Sequence, residues 1–133
     1  MMKYGVAYLT SLVTFFAVDM VWLGMMAKRF YRPTLGDILL PGVNMAPAIV
    51  FYILFPIGLV FFAVTPALRA GSISTALIYG AMFGFFTYAT YDLTNQATVR
   101  NWTTQLTVVD AAWGSVLAAA TAAISYLVAQ KLT

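Results

Sequence analysis

Between Lys3 and Lys28 the chain runs through apolar and uncharged residues, interrupted by a single charge at Asp19. Three more runs follow, over 47–64 and 73–91 with no charge at all, and over 103–128 with Asp110 alone. At 1.5 Å per residue such runs reach roughly 27–38 Å as α-helices, enough for a hydrocarbon core of about 30 Å. Composition excludes the soluble alternative. The chain is 62% hydrophobic and 8% charged, against roughly 45–50% and 25% in soluble domains. The sequence therefore predicts an all-α integral membrane protein, a four-helix transmembrane bundle running up-down-up-down. It is expected as a single domain over 1–133, with helices at about 4–27, 47–65, 73–92 and 103–128.

The boundaries have local reasons. A signal peptide would have a shorter apolar core and a small-residue cleavage site, so the first run reads as a retained helix. Lys28, Arg29 and Arg32 are expected to stop it at the interface, with Phe30 and Tyr31 as anchors. Residues 33–46 hold Pro33, Gly36, Pro41, Gly42 and Asn44 and read as a structured loop. Pro56 should kink the second helix, because its ring removes a backbone donor and crowds the preceding turn. Short links after the second and third helices make consecutive helices antiparallel neighbours.

Four crossings put both termini on one side, A, together with Lys3, Arg69 and Lys131; Lys28, Arg29, Arg32 and Arg100 fall on side B. The basic cluster ending the first helix favours side B as cytoplasmic. The expected location is the plasma (inner) membrane, as a multi-pass protein in contact with membrane lipid. A net charge of +3 suits an anionic lipid surface, and seven scattered Lys and Arg make no nucleic-acid footprint.

With no cysteine and no histidine, disulfides, thiol nucleophiles and imidazole relays are excluded, as is histidine-ligated haem or zinc. No dedicated metal-ligand motif is present, and no metal or cofactor is expected. The four acids are all aspartates: Asp19, Asp37, Asp92 and Asp110. All lie toward side B. Asp19 and Asp110 sit at similar depth, roughly 10–12 Å into the membrane, and Asp92 marks the expected end of the third helix.

A carboxyl at such depth should face the bundle or water, because lipid offers it no partner. Helical spacing names its company. Thr103, Thr107, Asp110, Gly114, Thr121 and Ser125 share one arc of the fourth helix. Around Asp19 the matching arc is Tyr8, Leu12, Phe15, Trp22 and Met26, with no hydroxyl or basic residue besides the Tyr8 phenol. On the third helix Gly84, Tyr88, Tyr91 and Asn95 fall together. The spacing Asp-x-x-Trp occurs twice, at Asp19–Trp22 and Asp110–Trp113, so each indole can pack beside its own carboxyl.

The candidate ligand-binding set is therefore Asp19, Trp22, Tyr88, Tyr91, Asp92, Asn95, Thr107, Asp110 and Trp113. Plainer roles stand beside it. Trp22 and Trp102 also fit an interfacial belt, and Gly80 and Gly84 form the G-x-x-x-G of close helix packing. The helix-four hydroxyls also fit interhelical hydrogen bonding, Asp92 and Arg100 fit helix capping, and Asp37 fits a solvated loop.

Several segments together resemble a membrane family, domain of unknown function 2177. They are Tyr-Asp-Leu-Thr-Asn-Gln-Ala-Thr at 91–98, Trp102, Thr107, Asp-Ala-Ala-Trp-Gly at 110–114, Asp19, Trp-Leu-Gly at 22–24, Phe-Tyr-Arg at 30–32, and Asn44. The resemblance spans essentially the whole chain and implies a four-helix membrane architecture without an assigned activity. Asp19, Tyr91, Asp92, Asn95, Trp102, Asp110 and Trp113 match its motif positions.

Three functions fit these features. Buried carboxylates beside aromatic residues suit binding or transport of a small amphipathic or cationic ligand. Small size and close-packing faces suit an accessory subunit or assembly factor of a larger membrane complex, with a membrane-protein partner or a homo-oligomer. Asp19 and Asp110 could also act as acid and base of an intramembrane enzyme on a lipid or isoprenoid, although few other catalytic groups exist. The balance leans away from an enzyme.

Overall fold

A computed structural model describes residues 2–133 of the chain. Four helical rods are long and apolar enough to cross a bilayer: Met2–Ile38, Met45–Ala70, Ile73–Thr98 and Thr104–Leu132. The first begins as α1 (Met2–Met26), widens into a π turn at Ala27–Tyr31, and continues as α2 (Arg32–Leu35) and a 3-10 turn. The second is α3 (Met45–Leu59), a π turn at Val60–Val64, and α4 (Thr65–Ala70). The third and fourth are single helices, α5 (Ile73–Thr98) and α6 (Thr104–Leu132). The protein is an all-α bundle that crosses the membrane more than once.

Two expected boundaries differ. The basic residues at 28–32 do not end the first helix; it passes through them by the π turn. Pro33 sits in the first turn of α2, directly after the π turn, and Gly36 at φ 60° ends that helix. The third helix runs six residues beyond Asp92, to Thr98. Thr94 and Thr98 donate their hydroxyls to carbonyls one turn back in the same helix, so both hydroxyls are satisfied within it. Pro56 lies inside α3, and the observed irregularity is the π turn that begins four residues later.

Side-chain caps begin the last two helices. Ser72 Oγ accepts from the Thr75 N–H at 3.3 Å, and Thr103 Oγ1 accepts from the Leu106 N–H at 3.0 Å. Between them Asn101, in a left-handed conformation at φ 69°, donates to the Leu35 carbonyl at 3.0 Å. That bond ties the α5–α6 turn to the end of the first rod. Asp37, expected as a solvated loop residue, lies beside this tie and accepts from Asn101 at 3.4 Å.

Helix α6 is the centre of the bundle, packed against α5 on one side and α1 on the other. Its buried face carries Thr107, Gly114, Thr121 and Ser125 of the predicted stripe, with Asp110 half-buried and Thr103 exposed at the helix start. The α5–α6 contact is close because both helices lack side chains there. A Cβ on Gly80 would stand 2.8 Å from the Ala118 carbonyl oxygen, and one on Gly84 would stand 2.6 Å from the Ala118 Cβ. The G-x-x-x-G reading as a packing face is what the structure contains.

Helices α1 and α6 run antiparallel in one register. Ser125 Oγ donates to the Ala7 carbonyl at 2.8 Å, and Trp113 Nε1 donates to Asp19 at 3.1 Å. Each step up one helix is a step down the other, so Ser11 lies level with Thr121 and Phe15 with Leu117. All four of these are buried. The outward faces are apolar, with Leu9, Val13, Phe16, Phe61, Phe85 and Phe86 exposed, as a hydrocarbon solvent demands.

This topology puts Lys3, Arg69 and Lys131 on one face. The chain has no native cysteine, so Lys3→Cys, Arg69→Cys and Lys131→Cys can be labelled one at a time with a membrane-impermeant maleimide. All three are expected to react from the same side of sealed vesicles, and reaction from opposite sides would exclude the topology.

Candidate functional site

The register that aligns α1 with α6 also builds the site. Both Asp-x-x-Trp motifs have the same spacing and run in opposite directions through the membrane. When Asp19 is level with Trp113, Trp22 must be level with Asp110. The indoles therefore reach across to the other motif, and the expectation that each Trp serves its own Asp is corrected. Trp113 Nε1 donates to Asp19 Oδ1 at 3.1 Å. Trp22 Nε1 donates to the Tyr31 hydroxyl at 3.0 Å, which donates in turn to Asp110 Oδ1 at 2.6 Å. The two indoles stack between these bonds, centroids 4.2 Å apart and planes 6° from parallel.

Asp19 is 6% exposed. Its own helix offers it no partner, and two other helices supply one each. The Tyr52 hydroxyl on α3 donates to Asp19 Oδ2 at 2.5 Å, opposite the Trp113 bond from α6. Tyr52 is held by an aromatic cluster: Phe15 lies against Phe51, Tyr52 and Phe55, with the Phe55 ring stacked at 4.5 Å. Both oxygens of a deeply placed carboxyl thus have donors, as a low-dielectric site requires.

Tyr31 arrives through the π turn. It lies nine residues after Trp22, and on an unbroken α-helix that separation places it about 180° around the axis. The wider turn at Ala27–Tyr31 lags the phase and returns the phenol to the Trp22 side. Single π turns recur where a helix must re-aim a functional side chain.

Two adjoining cavities result. The deeper, of about 520 Å³, is lined by Asp19, Trp22, Tyr31, Phe51, Phe55, Thr87, Tyr88, Tyr91, Asp110 and Trp113, with Leu23 and Pro47. The second, of about 590 Å³, lies toward side B and includes Arg32, the 38–44 segment, Asn95, Val99 and Trp102. Leu23, Tyr31, Tyr91 and Asp110 line both. The Tyr31–Asp110 hydrogen bond stands at their junction. No lysine or arginine lines the deeper cavity, so its two carboxyls meet aromatic hydroxyls and indoles but no fixed positive charge.

Of the nine candidate residues, six line the deeper cavity: Asp19, Trp22, Tyr88, Tyr91, Asp110 and Trp113. Asn95 lines the second cavity only. Asp92 and Thr107 line neither. Thr107 is spent on structure, accepting from Trp102 Nε1 at 3.1 Å and donating to the Asp92 carbonyl at 3.4 Å. That leaves Trp102 bonded inward rather than free at an interface. Asp92 does not cap a helix end; it is fully buried inside α5.

Tyr31 and Tyr52 went unselected by sequence reasoning. Tyr52 carried a signal, since it is the one polar side chain in the run 47–64, and a lone hydroxyl in an apolar span needs an acceptor. Tyr31 was read as an interfacial anchor within the Phe-Tyr-Arg segment at 30–32, because α-helical phase turns it away from the site.

No curated protein and no solved structure matches the chain significantly. A family model described as a predicted membrane protein, DUF2177, matches residues 4–127. The chain belongs to the DUF2177 family of predicted membrane proteins.

Proposed function

We propose that the deeper cavity binds a small amphipathic organic cation. The observation that carries this reading is the pairing of two carboxyls, Asp19 and Asp110, with an aromatic wall and no basic residue. A volume of about 520 Å³ falls within the usual 300–1,000 Å³ of small-molecule sites. Trp22, Tyr88, Tyr91 and Trp113 offer π faces, each contributing about 0.5–2 kcal/mol to a cation as water is excluded. The carboxyls supply the opposite charge. Placement among the helices suits a ligand that partitions into the bilayer, and binding is the first step of transport, the activity this site would serve.

Tetraphenylphosphonium is a suitable probe, with tetraphenylborate as an anion of similar size and shape. Binding to the purified protein can be followed by quenching of tryptophan fluorescence, because Trp22 and Trp113 line the cavity. The cation is expected to bind at least tenfold more tightly than the anion. Asp110→Asn and Asp19→Asn should each weaken it about tenfold, equivalent to about 1.4 kcal/mol. Equal binding of the two ions, or affinity unchanged by both substitutions, would remove the reading.

A further inference from the structure

Asp92 is an unusual group to leave in a membrane helix. Its side chain is fully buried, and neither carboxyl oxygen receives a hydrogen bond. Its backbone carbonyl accepts from Thr107 of α6 at 3.4 Å, one helical turn before Asp110, and Asp110 is the acidic group that faces it from that helix. Its other polar neighbours are the Tyr31 hydroxyl from the first rod and the Tyr91 hydroxyl on its own helix. No lysine or arginine is among its partners. Tyr31 already donates to Asp110. Two acceptors therefore face each other with nothing positive between them.

Such a pair cannot remain doubly ionised in a buried site, and one bridging proton satisfies both members. A metal ion fits less well. It needs several oxygen ligands. Among the described residues no third acidic ligand joins the two.

We propose that Asp92 and Asp110 hold a single shared proton, which leaves when an organic cation occupies the neighbouring cavity. This rests on the cation-binding reading above for its second half only. Asp110 is the connecting element, because it faces Asp92 from α6 and also lines both cavities. A cation beside Asp110 compensates the second negative charge, so the proton can pass through the side-B cavity to water. One positive charge enters and one proton departs, with both carboxyls ionised in the cation-bound state. The site would then exchange protons for organic cations.

The test has two arms. In weakly buffered detergent solution near neutral pH, tetraphenylphosphonium is titrated into the wild-type protein with a pH-indicator dye present. About one proton released per cation bound is expected. Asp92→Asn, which lines neither cavity, should still bind the cation but release no proton. Binding without release in the wild type, or continued release in Asp92→Asn, overturns the proposal. Release on adding sodium chloride alone would mark a metal-cation site and overturn it too.

The second arm needs no ligand. The wild-type infrared spectrum should contain the carbonyl band of a protonated carboxyl, lost in Asp92→Asn and in Asp110→Asn. Absence of that band overturns the shared proton whatever the cation does. Presence of the band without tetraphenylphosphonium binding sinks the cation reading and the exchange, while the shared proton stands.

Discussion

Adding one methyl group at Gly84 is expected to lower the thermal midpoint of the detergent-solubilised protein by about 10 °C or more. The new Cβ would stand 2.6 Å from the Ala118 Cβ and collide with the Gly114 carbonyl. A flexible side chain could rotate away, but a backbone carbonyl moves only if α6 moves. Overpacking of this kind costs about 1–3 kcal/mol, and more where backbone is the obstacle. For a chain of this size each kcal/mol is worth about 4 °C. Gly24→Ala is the control, since nothing lies within 4 Å of the position. Differential scanning fluorimetry of both variants decides: equal midpoints would mean α5 and α6 are not in backbone contact.

The crossed pairing of the two motifs gives the second large effect. A double-mutant cycle of Asp19→Ala with Trp113→Phe should yield a coupling of about 1–3 kcal/mol, because each removes one side of a buried hydrogen bond. The cycle of Asp110→Asn with Trp113→Phe should give a smaller value, since the two meet only through the Tyr31–Trp22 chain. Those two residues share a motif and no hydrogen bond. Unfolding of the four single and two double variants in a mixed-micelle titration supplies the numbers. Coupling within a motif and none across motifs would mean the register of α1 against α6 is wrong.

Much of this arrangement was legible in the sequence, for identifiable reasons. Apolar runs free of charge leave no choice but a membrane bundle, so the architecture follows from solvent matching alone. The shared depth of Asp19 and Asp110 follows from counting residues along helices of known rise, and Tyr88 and Tyr91 follow from phase on α5. Asp92 was misplaced because the expected helix ended at the first acid. The helix instead runs six residues further, with Thr94 and Thr98 bonded back to their own carbonyls. Thr107 looked available, and sequence spacing could not reveal that Trp102 and the Asp92 carbonyl consume it. Tyr31 was read as an anchor rather than a site residue for a different reason. Phase arguments assume 3.6 residues per turn, and one π turn invalidates every position beyond it.

The matching spacing of the two Asp-x-x-Trp motifs also has a use apart from this site. Read outward from the bundle centre, α1 and α6 spell the same short word in opposite directions, as the strands of a palindrome do. Two helices of opposite polarity that carry one motif at equal depth bring its ends into reciprocal contact, and a single deletion in either helix breaks every rung together. A repeated short motif in oppositely directed spans is thus a contact prediction that needs only one sequence. Here, with the register of α1 against α6 known, it accounts for the Trp22–Trp113 stack and the Trp113–Asp19 bond.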